Sequence, residues 1–397
     1  MNRLGVYIQV PFCASKCSFC NFSSRVEPSS AFDSYGQSLL QEIERLPESY
    51  AAQGISPGLL KYPVDTLYVG GGTPSQLGAA RLGGIVQAIR KRFEVCGEAE
   101  FTLETTPGSA DCDFLAQARA WGLNRLSVGA QTFDDRELRA VGRLHLAKAT
   151  CDLVRMARTA GLCNISLDLI AGLPYQTETS WQHTLETAVR LEPTHISLYL
   201  FELDEKSRLG KEVLREGTRY HATAVPGEAF LADAYENGRR FLEGEGYTQY
   251  EISNFALPGF ESCHNQKYWR LEPYVGIGAG AHSFDGEHRW ANETDPYMYQ
   301  KRFAEGLSPI AELRSLSRQE QVEEFFFLGL RQRQGVDLTQ AGERWGLGPL
   351  GLWKQRIAEL AAEGWLERSG PVIRLPQRAY LVSNEIFKEF IYESPHR

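Results

Sequence analysis

Between residues 5 and 201 the chain alternates two hydrophobic patterns. Segments 6–10, 66–69, 100–104, 125–128, 164–170 and 195–201 are short and rich in β-branched and aromatic residues, as strands are. Segments 38–46, 79–93, 114–121, 147–160 and 179–191 set apolar residues on one face at helical spacing. Apolar strands separated by amphipathic helices predict an α/β fold with a mainly parallel sheet covered by helices. Six such units suit a partial (β/α)6 barrel over residues 1–205, with a doubly wound open sheet as the alternative, since both produce the same periodicity. Residues 206–310 form a less regular connecting segment, with one amphipathic helix at 228–243 and then Gly- and aromatic-rich loops. Residues 311–397 run helix, short helix, helix, a strand at 365–368, a Ser-Gly-Pro turn, a strand at 372–375 and a last helix. That order predicts a smaller, mainly helical, winged-helix-like domain.

The distinctive polar residues cluster at the carboxyl ends of the expected strands. The first strand runs into Cys13, the second into Gly70-Gly71-Gly72-Thr73-Pro74, the third ends near Glu104 and the fourth at Gln131. The fifth contains Asp168 and continues to Gly172-Leu173-Pro174. One polar strand end is usually a cap or a turn, but five in succession predict one shared site, because ligands of α/β folds sit at that end of the sheet.

Charge narrows the functions open to such a fold. The 397 residues carry 42 Lys and Arg against 50 Asp and Glu, a net charge of −8, so broad coating of nucleic acid is not expected. Residues 311–397 hold 12 basic and 12 acidic side chains. The candidate recognition helix, 350–363, sets Lys354 and Arg356 against Glu359 and Glu363. A DNA-binding winged helix needs a concentrated positive face, so this tail is expected to pack or to act as a lid rather than to serve a nucleic-acid regulator. The chain lacks an uncharged apolar run of about 18 residues, so no membrane span is expected. Its start lacks the pattern of a signal peptide. Five of the eight cysteines (Cys96, Cys112, Cys151, Cys163, Cys263) are scattered singly, which fits a reducing cytoplasm and not a disulfide framework.

The other three cysteines crowd together in Cys13-Ala-Ser-Lys-Cys17-Ser-Phe-Cys20. Three thiolates on a loop after a strand suit an iron–sulfur cluster with one iron lacking a protein ligand. A zinc site and unliganded core cysteines are the plainer readings, though the spacing, without a neighbouring fourth ligand, fits structural zinc poorly. Phe12, Phe19 and Phe22 interleave with the cysteines and would form an apolar collar around a cluster, or simply core.

C-x3-C-x2-C after a first strand, followed by the Gly70–Pro74 run, resembles the radical S-adenosylmethionine (SAM) proteins. The resemblance implies a partial β/α barrel and a [4Fe–4S] cluster on Cys13, Cys17 and Cys20. The open iron would bind the amino and carboxylate groups of SAM, and an electron from the cluster can split the sulfonium bond. Gly71, Gly72 and Thr73 would then touch the methionine part of SAM. Arg143, in Gly142-Arg143-Leu144-His145, would meet its carboxylate. Glu104 and Asp168 would accept from ribose hydroxyls, and Gln131 would both donate and accept.

The run from Tyr7-Ile8-Gln9-Val10-Pro11-Phe12-Cys13 to Gly172-Leu173-Pro174 is similar to the oxygen-independent coproporphyrinogen III oxidase-like superfamily. Oxidases of that group carry a fourth cysteine where this chain has Phe22, and many relatives have histidine where it has Gln9. A phenylalanine is typical of the HemW branch, the haem chaperones. His264-Asn265-Gln266-Lys267-Tyr268-Trp269 resembles the H-N-x-x-Y-W haem motif of that branch. The resemblance implies haem near His264, packed on Tyr268 and Trp269, with Lys267 or Arg270 at a propionate, Cys263 as an alternative ligand and His282 as a secondary one; a packed core cluster is the plainer reading. Tyr7, Phe19 and Phe22 join the expected cofactor contacts. The implied function is transfer of haem to an acceptor protein, with an electron donor as a further partner if SAM is cleaved. The alternative is a radical enzyme acting on a porphyrinogen, or a related methyltransferase.

Overall fold

The computed structural model describes residues 3–391; Met1, Asn2 and residues 392–397, at the ends of the outermost expected segments, lie outside the described residues. The first half is six strand–helix units: β1 (Leu4–Val10), α1 (Ser30–Ala52), β2 (Val64–Gly71), α2 (Ala79–Arg92), β3 (Val95–Thr105), α3 (Cys112–Ala120), β4 (Arg125–Gln131), α4 (Asp135–Ala140), α5 (Ala147–Thr159), β5 (Asn164–Ala171), α6 (Glu178–Arg190) and β6 (His195–Leu200). All six strands run parallel in the order β1-β2-β3-β4-β5-β6. Each strand lies beside its neighbour in sequence, without the order reversal of a doubly wound sheet, so the partial-barrel expectation is the one borne out.

The elements form where the apolar pattern demands. β4 is buried along nearly all its length, as a strand covered on both faces must be. α5 turns Leu153, Val154 and Ala157 inward, and α6 opens with a Thr177–Ser180 capping box. α1 begins eight residues before the expected 38 and ends six after the expected 46. Its buried face, Phe32, Tyr35, Leu39, Ile43, Leu46 and Tyr50, keeps steps of three and four throughout, but interleaved serines and Pro47 obscure it in the sequence.

The second half contains α7 (Arg208–Leu214), α8 (Glu228–Gly244), β7 (Thr248–Gln249), β8 (Asn254–Ala256), α9 (Cys263–Trp269), β9 (Tyr274–Ile277), β10 (His282–Phe284), β11 (His288–Asn292), α10 (Pro296–Ala304) and β12 (Ile310–Ser315). β9 adds in parallel to β1, and β10, β11 and β12 continue the sheet antiparallel. At the other side β8 and β7 follow β6, giving twelve strands with open edges at β12 and β7. The barrel is therefore partial. These added strands escaped the sequence reading because they are two to six residues long and lack a sustained alternation.

The tail is α11 (Arg318–Gly329), β13 (Val336–Asp337), α12 (Leu338–Trp345), α13 (Leu347–Gly351), α14 (Lys354–Ala362), β14 (Glu367–Ser369), β15 (Val372–Arg374) and α15 (Ser383–Lys388), with a small antiparallel sheet in the order β13-β15-β14. The helix expected at 350–363 is two helices, broken where Trp353 is buried. Phe326 stacks on Phe390 at 4.6 Å and lies 5.6 Å from Trp353, so this domain has its own aromatic centre.

Glu42 of α1 fastens the added strands to the barrel. Its buried carboxylate accepts from Gly278 N–H at 2.8 Å, from Asn292 Nδ2 at 2.6 Å and from the Tyr299 hydroxyl. Burial pushes its pKa up to about 7. A carboxyl raised in the folded state contributes stability below its unfolded value of 4.5, and that stability is lost as pH rises through about 7. The Glu42 contribution is thus expected to fall between about pH 5 and pH 8, so the stability of the wild type relative to Glu42→Gln should decline over that range by a few kcal/mol at most. Urea unfolding at both pH values checks this; equal slopes for the two proteins would contradict it.

Candidate functional site

The carboxyl ends of β1 to β6 open onto one cavity of about 1080 Å³. Cys13, Cys17 and Cys20 line it together with Gly71, Gly72, Thr73, Glu104, Gln131, Arg143 and Asp168. The structure thus brings together, in one place, the cysteine loop and the polar strand ends expected to share a site.

The cysteine loop is pinned along its length. Cys13 N–H donates to Arg25 O, and Arg25 N–H to Pro11 O, so the loop returns alongside its own start. Lys16 Nζ crosses the loop to Ser24 O at 3.2 Å and to Phe22 O. Ser18 N–H reaches Val141 O, and Leu209 N–H reaches Ser18 O. Thr73 Oγ1 donates toward Cys13 Sγ at 3.7 Å, and Arg143 Nη1 toward Cys17 Sγ at 3.6 Å. Burial pushes the Cys13 thiol pKa up, with the other two cysteines adding to the rise. A thiolate there needs a compensating positive centre.

The glycine run owes its composition to close approach. A Cβ on Gly72 would lie 2.5 Å from Phe12 O and 3.0 Å from Cys13 Sγ. Gly71 has φ +113, and a Cβ there would meet the Gln9 amide at 2.7 Å. The run and the cysteine loop therefore form a cradle that any side chain would fill. β4 ends in a bulge: its register with β5 shifts between Val128 and Gln131, and Gln131 sits at φ +71. Bulges of this kind re-aim a side chain beside a site. Gly129 leaves room there, since its Cβ would press on Gln131 Nε2 at 2.9 Å and Arg143 Nη2 at 3.2 Å.

The two acids stand on β3 and β5, with β4 between them. Glu104 Oε1 accepts from the Tyr68 hydroxyl at 2.8 Å and Oε2 from Gly71 N–H at 2.9 Å; burial lifts its pKa to about 6. Asp168 accepts from Ser127 Oγ at 3.5 Å, and burial raises its pKa as well. Arg143 also donates to Gly129 O, and its Nε has no partner. The set offers two acids, an amide and a guanidinium beside a glycine turn, donors and acceptors that an amino acid joined to a nucleoside requires.

The expected collar is only partly present. Phe19 and Phe22 line the cavity, but Phe22 is 66% exposed at its rim, and Phe12 is core, packed on Phe32 and Tyr35.

The sequence reading missed His145. It lines the cavity, is 6% exposed, and neither ring nitrogen has a hydrogen-bond partner. Burial and then Arg143 pull its pKa down to about 4, so it is neutral. Its place directly after Leu144, two residues past Arg143, was the available signal. Thr105, Thr106 and Ser109 were also missed; with Thr73 and Ser75 they form a hydroxyl cluster behind the glycine run. Arg331, Leu381 and Asn384 of the tail close one wall of the cavity, as a packing or lid element would.

The His264–Trp269 motif lies at the opposite end of the barrel from the cavity. It is helix α9, set against the amino ends of β1, β2 and β3. His264 is 1% exposed. Its Nδ1 pairs with Thr66 Oγ1 at 2.8 Å and its Nε2 with the Tyr268 hydroxyl at 2.9 Å, and burial pulls its pKa down to about 3. With both nitrogens engaged, the imidazole as folded has none to give an iron. Lys267 is 2% exposed and bound to Asp65 and Glu272, which removes it as a propionate partner; Arg270 bonds Gln266 and Gln332. Trp269 packs on Tyr250 at 6.0 Å. Cys263, the first residue of α9, is exposed, its pKa pushed up to about 11 by burial of the thiol and then by Glu100. His282 is exposed on β10 and borders neither the cavity nor α9. Tyr7 stands between the two ends, its hydroxyl donating to Gln9 Oε1 at 2.6 Å.

Comparison with known proteins agrees with this arrangement. Residues 7–188 match the model of the radical SAM superfamily, and residues 316–382 match the HemN C-terminal domain. The fold and the cysteine-lined cavity thus define a radical SAM protein, a class whose members carry a [4Fe–4S] cluster and SAM. Over 98% of its length the chain is 34% identical to Heme chaperone HemW of Bacillus subtilis, covering 99% of that relative. It is 29% identical to Heme chaperone HemW of Escherichia coli, again over 98% of both. The chain belongs to the HemW family. Coproporphyrinogen III oxidase (HemN) from Escherichia coli, a radical SAM enzyme, has the same fold, with a TM-score of 0.84 over 98% of this chain and 90% of that one; at 24% identity the likeness is one of fold alone. The family resemblance read from the motifs is borne out. Among the described residues no helix is long and apolar enough to cross a membrane.

Proposed function

We propose that this chain is a haem chaperone that binds a [4Fe–4S] cluster, SAM and haem, and passes the haem to an acceptor protein. The observation that carries the reading is full-length likeness to relatives bearing the name Heme chaperone HemW, together with Phe22 where the oxidases place a fourth cysteine. Cys13, Cys17 and Cys20 would hold the cluster, and the Gly71–Thr73 turn, pressed against the cysteine loop, lines the same cavity and would meet the methionine part of SAM. Arg143 orients a carboxylate; Glu104 and Asp168 accept from ribose hydroxyls; Gln131, aimed by its bulge, bridges donors and acceptors. Phe19 and Phe22 limit water on the loop side. When bound, the cluster supplies an electron and SAM a reducible sulfonium. An electron donor is then a partner as well.

The work divides along the chain: residues 1–205 hold the cluster and SAM, residues 206–310 build the barrel floor and added strands, and residues 311–397 form a wall of the cavity. We place the protein in the reducing cytoplasm, where none of its eight cysteines needs a disulfide partner. Contact of haem with His264, Tyr268 or Trp269 requires α9 to leave its seat. Oxygen-free purification with iron, sulfide and haem quantified, then incubation with apo-haemoproteins, tests the reading. Haem transfer is expected; decarboxylation of a porphyrinogen or methylation of a substrate without haem transfer would overturn it.

A further inference from the structure

The motif at the barrel floor is joined to the cluster end through two aromatic side chains. His264 packs against Tyr68, ring centroids 5.1 Å apart, and against Tyr7 at 6.2 Å. Tyr68 carries its hydroxyl up to Glu104 Oε1, and Glu104 Oε2 receives Gly71 N–H. Tyr7 carries its hydroxyl to Gln9 Oε1, and the Gln9 amide lies where a Cβ on Gly71 would stand. Both paths rise from one imidazole and end on one turn of backbone, Gly70 to Thr73.

The floor itself is fixed. Glu100 of β3 accepts from the backbone N–H groups of Cys263 and His264, each at 3.0 Å, and the Ser262 hydroxyl accepts from Asn265 N–H. Gly5 of β1 lets the helix come close: a Cβ there would sit 2.9 Å from Lys267 Cδ and 3.3 Å from His264 Cε1. Thr66 and Tyr268 hold the ring from both sides. A neutral imidazole has one donor and one acceptor, and a hydroxyl on each side satisfies both. The ring cannot turn without leaving a buried group unpaired, and Tyr7 and Tyr68 rest on it.

We propose that His264 is a positioning residue for the SAM pocket: by seating Tyr7 and Tyr68 it sets Gln9 and Glu104 against the Gly70–Thr73 turn. The motif then belongs to the cluster end of the barrel through packing, although it lies at the other end. This rests on the proposed cluster-and-SAM reading of the cavity.

The test uses the full chain, reconstituted without oxygen, in three variants. His264→Phe keeps a flat ring and removes both hydrogen bonds. Tyr68→Phe removes only the hydroxyl that holds Glu104. The third combines them. Calorimetric SAM affinity is expected to fall about tenfold in each single variant, and by much less than the product of the two in the double, since coupled neighbours are not additive. Unchanged SAM affinity in His264→Phe, or full additivity in the double variant, would each overturn the proposal. If His264→Phe does not load its cluster, Thr66→Val, which removes only the hydroxyl on the imidazole Nδ1, decides in its place: unchanged SAM affinity there overturns the proposal, and a fall of several-fold supports it. Wild-type protein that binds no SAM would instead overturn the cluster-and-SAM reading.

Discussion

Cys17→Ser is expected to emerge from oxygen-free reconstitution with almost no iron and no acid-labile sulfide, while its fold persists. Cys17 is the most buried of the three clustered cysteines, on a loop held at Lys16, Ser18 and Arg25. That anchoring fixes where its sulfur can sit, and neither neighbour can move to replace it. Serine offers a hard oxygen with a much higher pKa, and soft thiolates are what select iron–sulfur clusters. Loss of one of three protein ligands removes a third of the attachment. The remaining cysteines Cys96, Cys112, Cys151, Cys163 and Cys263 lie on other elements and do not line the cavity. Iron and sulfide assays check the outcome. Wild-type stoichiometry in the variant would show that Cys17 is not a ligand.

Arg143→Ala is expected to weaken SAM binding by roughly ten- to a hundredfold, the ~1.5–3 kcal/mol of a charge-assisted hydrogen bond. Arg143 stands at the meeting point of the cysteine loop and the β4 bulge, donating toward Cys17 Sγ and to Gly129 O. Its Nε is left without a partner, so the guanidinium retains donor capacity. Removing it also takes away the cation that donates toward Cys17 Sγ and one of the charges that favours ionised Asp168. Arg143→Lys, with a point charge in place of a planar fork, should recover only part of the affinity. Calorimetry on cluster-loaded protein distinguishes these cases; unchanged affinity in Arg143→Ala would show that the carboxylate binds elsewhere.

How legible the molecule was depended on the range of the signal. The six parallel strands and their helices could be read because each carries its own apolar run. The cavity could be read because its residues sit at strand ends, where the parallel sheet sends them to one side. Phe22 and His264 could not be placed from sequence. Whether a side chain lies at a rim or in a core depends on what packs over it, and nothing local says that the amino ends of β1, β2 and β3 receive α9. The same holds for His145, whose unpartnered ring follows from the path of a loop. Strands β7 to β12 were hidden because strands this short are decided by their partners rather than by their own alternation.

The central claim is that three clustered thiolates hold a cluster whose free iron takes SAM. Electron paramagnetic resonance of the dithionite-reduced, oxygen-free reconstituted protein, recorded with and without SAM, addresses it most directly. The account predicts a [4Fe–4S]+ signal in the wild type whose g-values shift on adding SAM. A signal that SAM leaves unaltered, or the absence of any iron–sulfur signal from protein that is otherwise folded, would contradict it.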